Sequence, residues 1–182
     1  MNVISTTPAT DTLVTTTIDT PVGPLTLQAG TRGLRRVMWL GEHAERLADD
    51  AHAAGGRNPA AEAVLAAAVT QLREYFAGTR HEFDLPLDPV GTPFQQQVWQ
   101  VLRGIPYGET ISYGEQARRL GDVRKSRAVG AANGKNPLGI IVPCHRVVGS
   151  DGKLTGFAGG LENKAWLLQL EQSDRTPTLS FG

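Results

Sequence analysis

Apolar and β-branched residues cluster between turn formers from Leu13 to Leu40. Thr15–Ile18 and Leu25–Leu27 flank the turn-like Thr20-Pro21-Val22-Gly23-Pro24, and a third run, Leu34 to Leu40, follows Gly33. This pattern predicts three short strands. Residues 49–60 are rich in Ala, Gly, Asn and Pro and read as a loop. The period then changes: Leu65, Val69, Leu72 and Phe76 recur at helical spacing, so a helix is expected over about Ala60 to Phe76, stopped by Gly78.

The second half is patterned as helices. Thr92, Pro93 and Gln95 form an N-cap, N1 and N3 set, a capping box opening a helix with Phe94, Val98, Val101 and Leu102 inward; Ile105-Pro106-Tyr107-Gly108 ends it. Ser112 and Glu115 read as a second capping box, for a helix reaching Leu120 and terminated by Gly121. After a turn of about four residues comes another helix, roughly Lys125 to Gly134, giving a helix-turn-helix. Its residues Ala128, Gly130, Ala131 and Ala132 are small, suited to close approach by either a neighbouring helix or a DNA groove. A last helix carries Leu161, Ala165 and Leu168 with Trp166, Leu167 and Leu170.

The fold class expected is therefore α+β. A flexible tail (1–12) precedes an N-terminal α/β domain (13–85) built of a small antiparallel sheet plus a helix. A linker (86–91) leads to a mostly helical, winged-helix-like C-terminal domain (92–171) and a flexible tail (172–182). Repeats and low-complexity tracts are absent from the sequence.

Charge and composition refine this. The net charge is zero, but residues 1–89 hold 7 Lys+Arg against 11 Asp+Glu, and residues 90–182 hold 11 against 7. Residues 118–135 carry Arg118, Arg119, Arg124, Lys125, Arg127 and Lys135 against Asp122 alone. Such asymmetry hints at a polyanion partner, though a solvated basic face has the same signature. No apolar run approaches the roughly 18 residues of a membrane span, and Met1 to Thr12 lacks the basic start and apolar stretch of a signal peptide. The one cysteine, Cys144, excludes an internal disulfide and a multi-cysteine metal site. A free thiol fits a reducing, cytoplasmic compartment.

Cys144 follows the apolar run Ile140-Ile141-Val142 and stands in Pro143-Cys144-His145-Arg146. A lone cysteine is often a small hydrophobe, but neighbouring basic groups favour the thiolate, the strong nucleophile. Adjacent side chains in an extended segment point to opposite faces. His145 can therefore serve Cys144 as a base only if the chain turns sharply there or a water joins them. Glu171 falls on the apolar stripe of the last helix, three and four residues after Leu168 and Leu167. It is either the buried partner of His145, as in a triad, or an exposed helix end.

The segments Asn136-Pro137 and Ile141-Val142-Pro143-Cys144-His145-Arg146-Val147-Val148 resemble the O6-alkylguanine-DNA alkyltransferases, the methylated-DNA–protein-cysteine methyltransferases. Thr92-Pro93-Phe94, Val98-Trp99, Ile105-Pro106-Tyr107-Gly108, Ser112-Tyr113, Arg127-Ala128-Val129-Gly130, Gly159-Gly160-Leu161 and Lys164 extend the resemblance over nearly all of residues 83–171. It implies DNA repair by a single, irreversible transfer of an alkyl group from O6 of a flipped-out guanine to Cys144. His145 would take the thiol proton through a water, Glu171 would hold His145, Asn136 would tie the helix-turn-helix to the active segment, and Tyr113 would protonate or polarise the leaving base. The second helix would enter the minor groove, with Arg127 filling the gap left by the base and Arg124, Lys125, Ser126, Ala128, Ala131, Ala132 and Lys135 against DNA. Main-chain groups near Val147 and Ala158 would read the base edge; Phe157, Gly159, Pro143 and Gly139 would complete the pocket.

The partner implied is double-stranded DNA containing O6-alkylguanine, bound by a monomer, with no membrane. No cofactor and no metal are expected: relatives that hold a structural zinc use N-terminal cysteines, which this chain lacks. Phe157 stands where many relatives have Tyr, Ala158 where some have Ser, and Gly139 where some have Pro. The alternatives are a non-enzymatic lesion-binding protein of the alkyltransferase-like type, a helix-turn-helix transcription factor and a Cys-His-Glu hydrolase.

Overall fold

The computed structural model describes residues 11–39 and 57–173. The expectations for residues 1–10, Leu40, 49–56 and 174–182 lie outside them.

Strands β1 (Val14–Ile18), β2 (Leu25–Gly30) and β3 (Gly33–Trp39) form an antiparallel sheet in that order. The registers run from Val14↔Ala29 to Ile18↔Leu25 and from Leu25↔Trp39 to Gly30↔Gly33. The β1–β2 turn closes with the Gly23 N–H donating to the Thr20 carbonyl, where Gly23 has φ +93°, a conformation glycine adopts without strain. The expected N-terminal tail is tied down at its end, since Asp11 accepts from the Thr31 N–H at 2.9 Å.

Helix α1 (Pro59–Phe76) lies on the sheet. Asn58 caps it, accepting from the Ala61 N–H, and Pro59 takes the first position, so the helix begins inside the span expected to be loop. Its buried face is Ala61, Leu65, Ala68, Leu72 and Tyr75. That face is rotated from the expected Leu65-Val69-Leu72-Phe76 stripe, because alanines let the helix sit close to the sheet while Val69 and Phe76 stay half-buried.

The outer edge of β3 is not left open. The Leu34 N–H donates to the Pro86 carbonyl, the Asp88 N–H donates to Leu34, the Val37 N–H donates to Pro137, and the Gly139 N–H donates back to Val37. The chain between the two halves and the segment leading to Cys144 thus both dock on one strand edge, so the start of the expected linker is part of the sheet's surroundings.

Helix α2 (Pro93–Arg103) has the full capping box of Thr92 and Gln95. Residues β4 (Ile111–Ser112) lead into α3 (Tyr113–Arg119), where Ser112 accepts from the Glu115 N–H. The Glu115 carboxylate bonds Arg118 and Arg119, so this cap is one-sided. Gly121, at φ +95°, ends the helix. A 3₁₀ turn (Val123–Lys125) precedes α4 (Ser126–Asn133). Gln116 and Asn133 exchange two buried amide hydrogen bonds at 3.0 and 2.8 Å, and the Trp99 indole N–H donates to the Ala132 carbonyl at 2.9 Å. These contacts fix the angle between α3 and α4 and lock α4 to α2.

After the Cys144 segment, β5 (Val147–Val148) pairs in parallel with β4. Helix α5 (Leu161–Ser173) runs two residues into the expected C-terminal tail. It buries Lys164, Leu167, Leu168 and Glu171, whereas Leu161 and Ala165 of the expected stripe are exposed. Apolar residues of both halves, among them Leu27, Leu34, Leu72, Leu102, Leu138 and Leu167, form one continuous core.

Candidate active site

Cys144 is delivered by a segment with little freedom. Asn136 clamps it, its Nδ2 donating to the Val142 carbonyl at 2.8 Å and its Oδ1 accepting from the Leu138 N–H at 3.0 Å. Ile140, buried, has φ +71°. A β-branched residue rarely adopts that region, and holding it there costs about 1–3 kcal/mol. The chain then enters a 3₁₀ turn, Cys144–Arg146. This turn answers the geometric question posed by the sequence: Cys144 stays half-buried at a cavity wall, while His145 and Arg146 point into the interior.

Behind the turn stands Glu171, fully buried. Its Oε1 accepts from His145 Nε2 at 2.7 Å, from the Tyr75 hydroxyl at 2.7 Å and from Arg146 Nη2 at 3.0 Å. Its Oε2 accepts from Arg146 Nε at 2.9 Å and from the Gly108 N–H at 3.0 Å. Burial would raise the Glu171 pKa, but the hydrogen bonds and charges of His145 and Arg146 outweigh it and hold the carboxyl well below the usual range. Burial lowers the His145 pKa and prevails over the opposing pull of Glu171. The imidazole is therefore neutral and the carboxylate ionised, which assigns the ring proton to Nε2. Nδ1 is left as a buried acceptor without a hydrogen-bond partner.

Two further groups flank the cysteine. The Lys164 ammonium, buried, donates to the Val147 and Thr155 carbonyls at 2.6 and 2.8 Å. Burial lowers its pKa, opposed by the charge of Cys144. Tyr113, at the start of α3, donates its hydroxyl to the Thr155 carbonyl at 3.0 Å. Burial, with the charge of Cys144, raises its pKa, so it remains a proton donor.

The cavity at Cys144 is lined by Phe157, Ala158 and Gly139 as expected, and by Asn133 to Pro137. It is also lined by Val37, Met38 and Trp39 of the N-terminal sheet, which sequence reasoning missed because it read β3 only as a strand of the other domain. About 20 Å³ is open to the centre of a water molecule, room for about one water and far less than a nucleobase needs. Three expected pocket residues do not line it. Val147 is fully buried, its N–H bonded to the Cys144 carbonyl and its own carbonyl to Lys164. Pro143 faces a separate cavity of about 350 Å³ between the two halves, shared with His81, Arg103, Tyr107 and Arg146. Gly159 packs on the Trp39 ring.

The expected DNA-facing residues divide by helix face. Arg127, Ala128, Ala131 and Lys135 are exposed on one side of α4 and its exit, with Lys125 just before it. Ala132 is on the opposite side, buried against α2, and is removed from the contact set. Ser126 bonds the Val123 carbonyl and closes the turn. Arg124 pairs with Asp122, as Arg118 and Arg119 do with Glu115. Among the described residues, Lys125, Arg127 and Lys135 enter no ion pair, so α4 and its two flanks carry unneutralised positive charge. No group of three His, Cys, Asp or Glu side chains gathers among the described residues, and no helix there is long and apolar enough to cross a membrane.

The class these features define is an α+β protein in which a half-buried cysteine and a neutral histidine locked by an ionised glutamate sit near a helix with a basic, small-residue face. Comparison with known proteins makes it specific. Residues 13–89 match the ribonuclease-like domain, and residues 93–173 the DNA-binding domain, of the 6-O-methylguanine DNA methyltransferase family. The chain belongs to that family. It is 50% identical over 157 residues to the methylated-DNA–protein-cysteine methyltransferase of Mycobacterium tuberculosis, covering 86% of this chain and 91% of the relative. The crystal structure of the M. tuberculosis O6-methylguanine methyltransferase superposes with a TM-score of 0.79 at 48% identity, covering 91% and 96% of the two chains. The structure of that organism's OGT in complex with DNA gives 0.76 at 47% identity, covering 87% and 92%.

Proposed function

We propose that this protein repairs DNA by transferring the alkyl group of O6-alkylguanine to Cys144, once per molecule. The carrying observation is the relay behind the cysteine: His145 Nδ1 is unpartnered while Nε2–H is committed to an ionised Glu171. Such a ring has one basic lone pair available and cannot turn. It accepts the thiol proton through a water, and the thiolate attacks the alkyl carbon in line. Lys164 favours the negative sulfur electrostatically. The S–C bond forms as the C–O6 bond breaks, and guanine departs after gaining one proton, delivered or shared by Tyr113. The product thioether is a poor leaving group, so nothing regenerates the thiol.

O6 lies within a paired duplex, so the base must be extruded before attack. The exposed small residues Ala128 and Ala131 let α4 approach the minor groove closely. Arg127 occupies the space the base leaves, and Lys125 and Lys135 neutralise phosphates. The cavity at Cys144 is too narrow for the base as it stands. Phe157 and Ala158 belong to the segment between β5 and α5, which contains Gly152, Gly156 and Gly160, all at positive φ. Outward movement of that segment admits the base.

Incubation with an oligonucleotide bearing O6-methylguanine tests the reading. Intact mass should rise by about 14 Da, one methyl replacing one hydrogen on the nucleophile, and peptide mapping should place it on Cys144. A Cys144→Ser variant should take up none while still binding the duplex. An unmodified wild-type chain would instead indicate lesion binding without chemistry.

A further inference from the structure

The cavity at Cys144 is small for an identifiable reason. Trp39, the last residue of β3, occupies space that two glycines of the C-terminal half vacate. A Cβ placed on Gly159 would fall 2.7 Å from both Cδ2 and Cε2 of the indole and 2.9 Å from Cε3. Those near-equal distances put Gly159 over the ring face. A Cβ on Gly139 would fall 2.7 Å from Cζ3 and 3.3 Å from Cη2, the outer edge of the same ring. The indole is thus gripped by Gly139 at its rim and by Gly159 on its face, and it meets Phe157 edge-on with centroids 5.3 Å apart. Gly139, Phe157, Trp39 and Cys144 line one cavity.

The ring is also pinned. Its Nε1–H donates to the Val22 carbonyl at 2.9 Å. Asn163 Nδ2 donates to that same carbonyl at 2.9 Å and to the Gly159 carbonyl at 2.8 Å. Moving the indole therefore disturbs the β1–β2 turn, the start of α5 and the Gly159 backbone together. Movement of the Phe157–Ala158 segment can open the mouth of the site for a base, but it leaves this back wall in place.

We propose that Trp39 sets the upper size of the alkyl group that Cys144 accepts, making an N-terminal-domain residue a specificity determinant; this rests on the alkyl-transfer reading above. A methyl needs little of the space the indole fills. A benzyl group must occupy it.

The test compares second-order transfer rates from duplexes carrying O6-benzylguanine and O6-methylguanine, in wild type, Trp39→Leu and Trp39→Phe. Active molecules are counted by methyl uptake at saturation, so unfolded protein drops out of the ratio. The benzyl-to-methyl ratio should rise about tenfold or more in Trp39→Leu, in keeping with what space for a few carbons contributes to discrimination, and by less in Trp39→Phe. If Trp39→Leu does not fold, the Phe variant carries the comparison, since it keeps a buried ring while vacating part of the indole's volume. A ratio unchanged within about twofold in the folded variants, where pocket-size effects of tenfold are usual, overturns the assignment while leaving alkyl transfer intact. A wild-type chain that takes up neither group overturns the transfer reading itself.

Discussion

Glu171 receives five hydrogen bonds from four residues, Tyr75, Gly108, His145 and Arg146, an arrangement that stabilises only an ionised carboxylate. Glu171→Gln keeps the shape but must face at least one donor with its own NH₂, so His145 loses its fixed tautomer. The expected outcome is a transfer rate lower by about 10²-fold or more, the usual scale of a lost general-base step, with duplex affinity retained. Single-turnover kinetics and a binding isotherm separate the two. The same pair gives stability a pH dependence of definite sign. Burial holds the folded His145 pKa below the ordinary imidazole value, and the bonds from His145 and Arg146 hold that of Glu171 below the ordinary carboxylate value. In both cases the unfolded chain binds the proton more readily, so stability is full above about pH 6.5 and falls on acidification, first through His145 and then through Glu171. Thermal midpoints measured from pH 8 to 4 should show this decline, and His145→Gln should remove its upper part. In the sequence, Glu171 was legible as a carboxylate on an apolar stripe, but with two meanings. Lys164 lies on the same face, seven residues before Glu171 and three and four before Leu167 and Leu168. Its burial is not legible in the sequence, because lysine near a helix start ordinarily reaches solvent. Lys164→Met takes a donor from the Val147 and Thr155 carbonyls, the latter keeping Tyr113, and removes the cation near Cys144. The pH midpoint for alkylation of Cys144 by iodoacetamide should move upward.

For whole elements, capped ends are readable and so is the inward face of α2, but the face of α4 is not. Thr92, Ser112, Gly78 and Gly121 act locally, through caps and positive φ, so four or five residues of sequence contain their meaning. The orientation of α4 does not, because every residue from Ala128 to Ala132 is small or apolar and periodicity offers no contrast. Tertiary contacts decide it: Val129, Ala132 and Asn133 turn toward α2 and α3, leaving Arg127, Ala128 and Ala131 outward. Two substitutions one residue apart check the assignment. Ala131→Leu should leave the thermal midpoint nearly unchanged and weaken duplex binding, since a bulky side chain holds the helix off a narrow groove. Ala132→Leu should instead overpack the core and destabilise the fold by about 1–3 kcal/mol. Arg127→Ala should slow transfer from duplex more than from the free alkylated base. Equal slowing on both substrates would count against its place in the emptied stack. Lys125→Ala and Lys135→Ala should each lower the salt dependence of binding by about one phosphate contact.

Taken whole, the molecule is less divided than its sequence pattern. The strand-then-helix order suggests a sheet domain joined to a chemistry domain, and the short motifs legible in the sequence lie in the second, although residues 13–89 match the family as well. Yet β3 supplies Val37, Met38 and Trp39 to the cysteine cavity, and α1 supplies a hydroxyl to the Glu171 carboxylate that holds His145. Nothing local in the sequence distinguishes Tyr75 from an ordinary core aromatic, because its partner is 96 residues away. Burial and the charge of Glu171 push the Tyr75 pKa up, so the phenol keeps its proton throughout the working range and always donates. It donates to Oε1, the same oxygen that holds His145 Nε2. Tyr75→Phe removes one donor from a buried carboxylate without opening a cavity. If the halves were independent modules, the loss would register only as stability of the N-terminal half. If they form one working unit, Glu171 also gains freedom to shift and His145 moves with it. The expected result is a loss of about 1–3 kcal/mol in unfolding free energy, as for a hydrogen bond to a charged group, together with slower methyl transfer at unchanged duplex affinity. The slowing should persist well below the unfolding transition, where nearly every molecule is folded. A variant that loses stability but transfers methyl at the wild-type rate would confine Tyr75 to packing and return the relay to the C-terminal half alone.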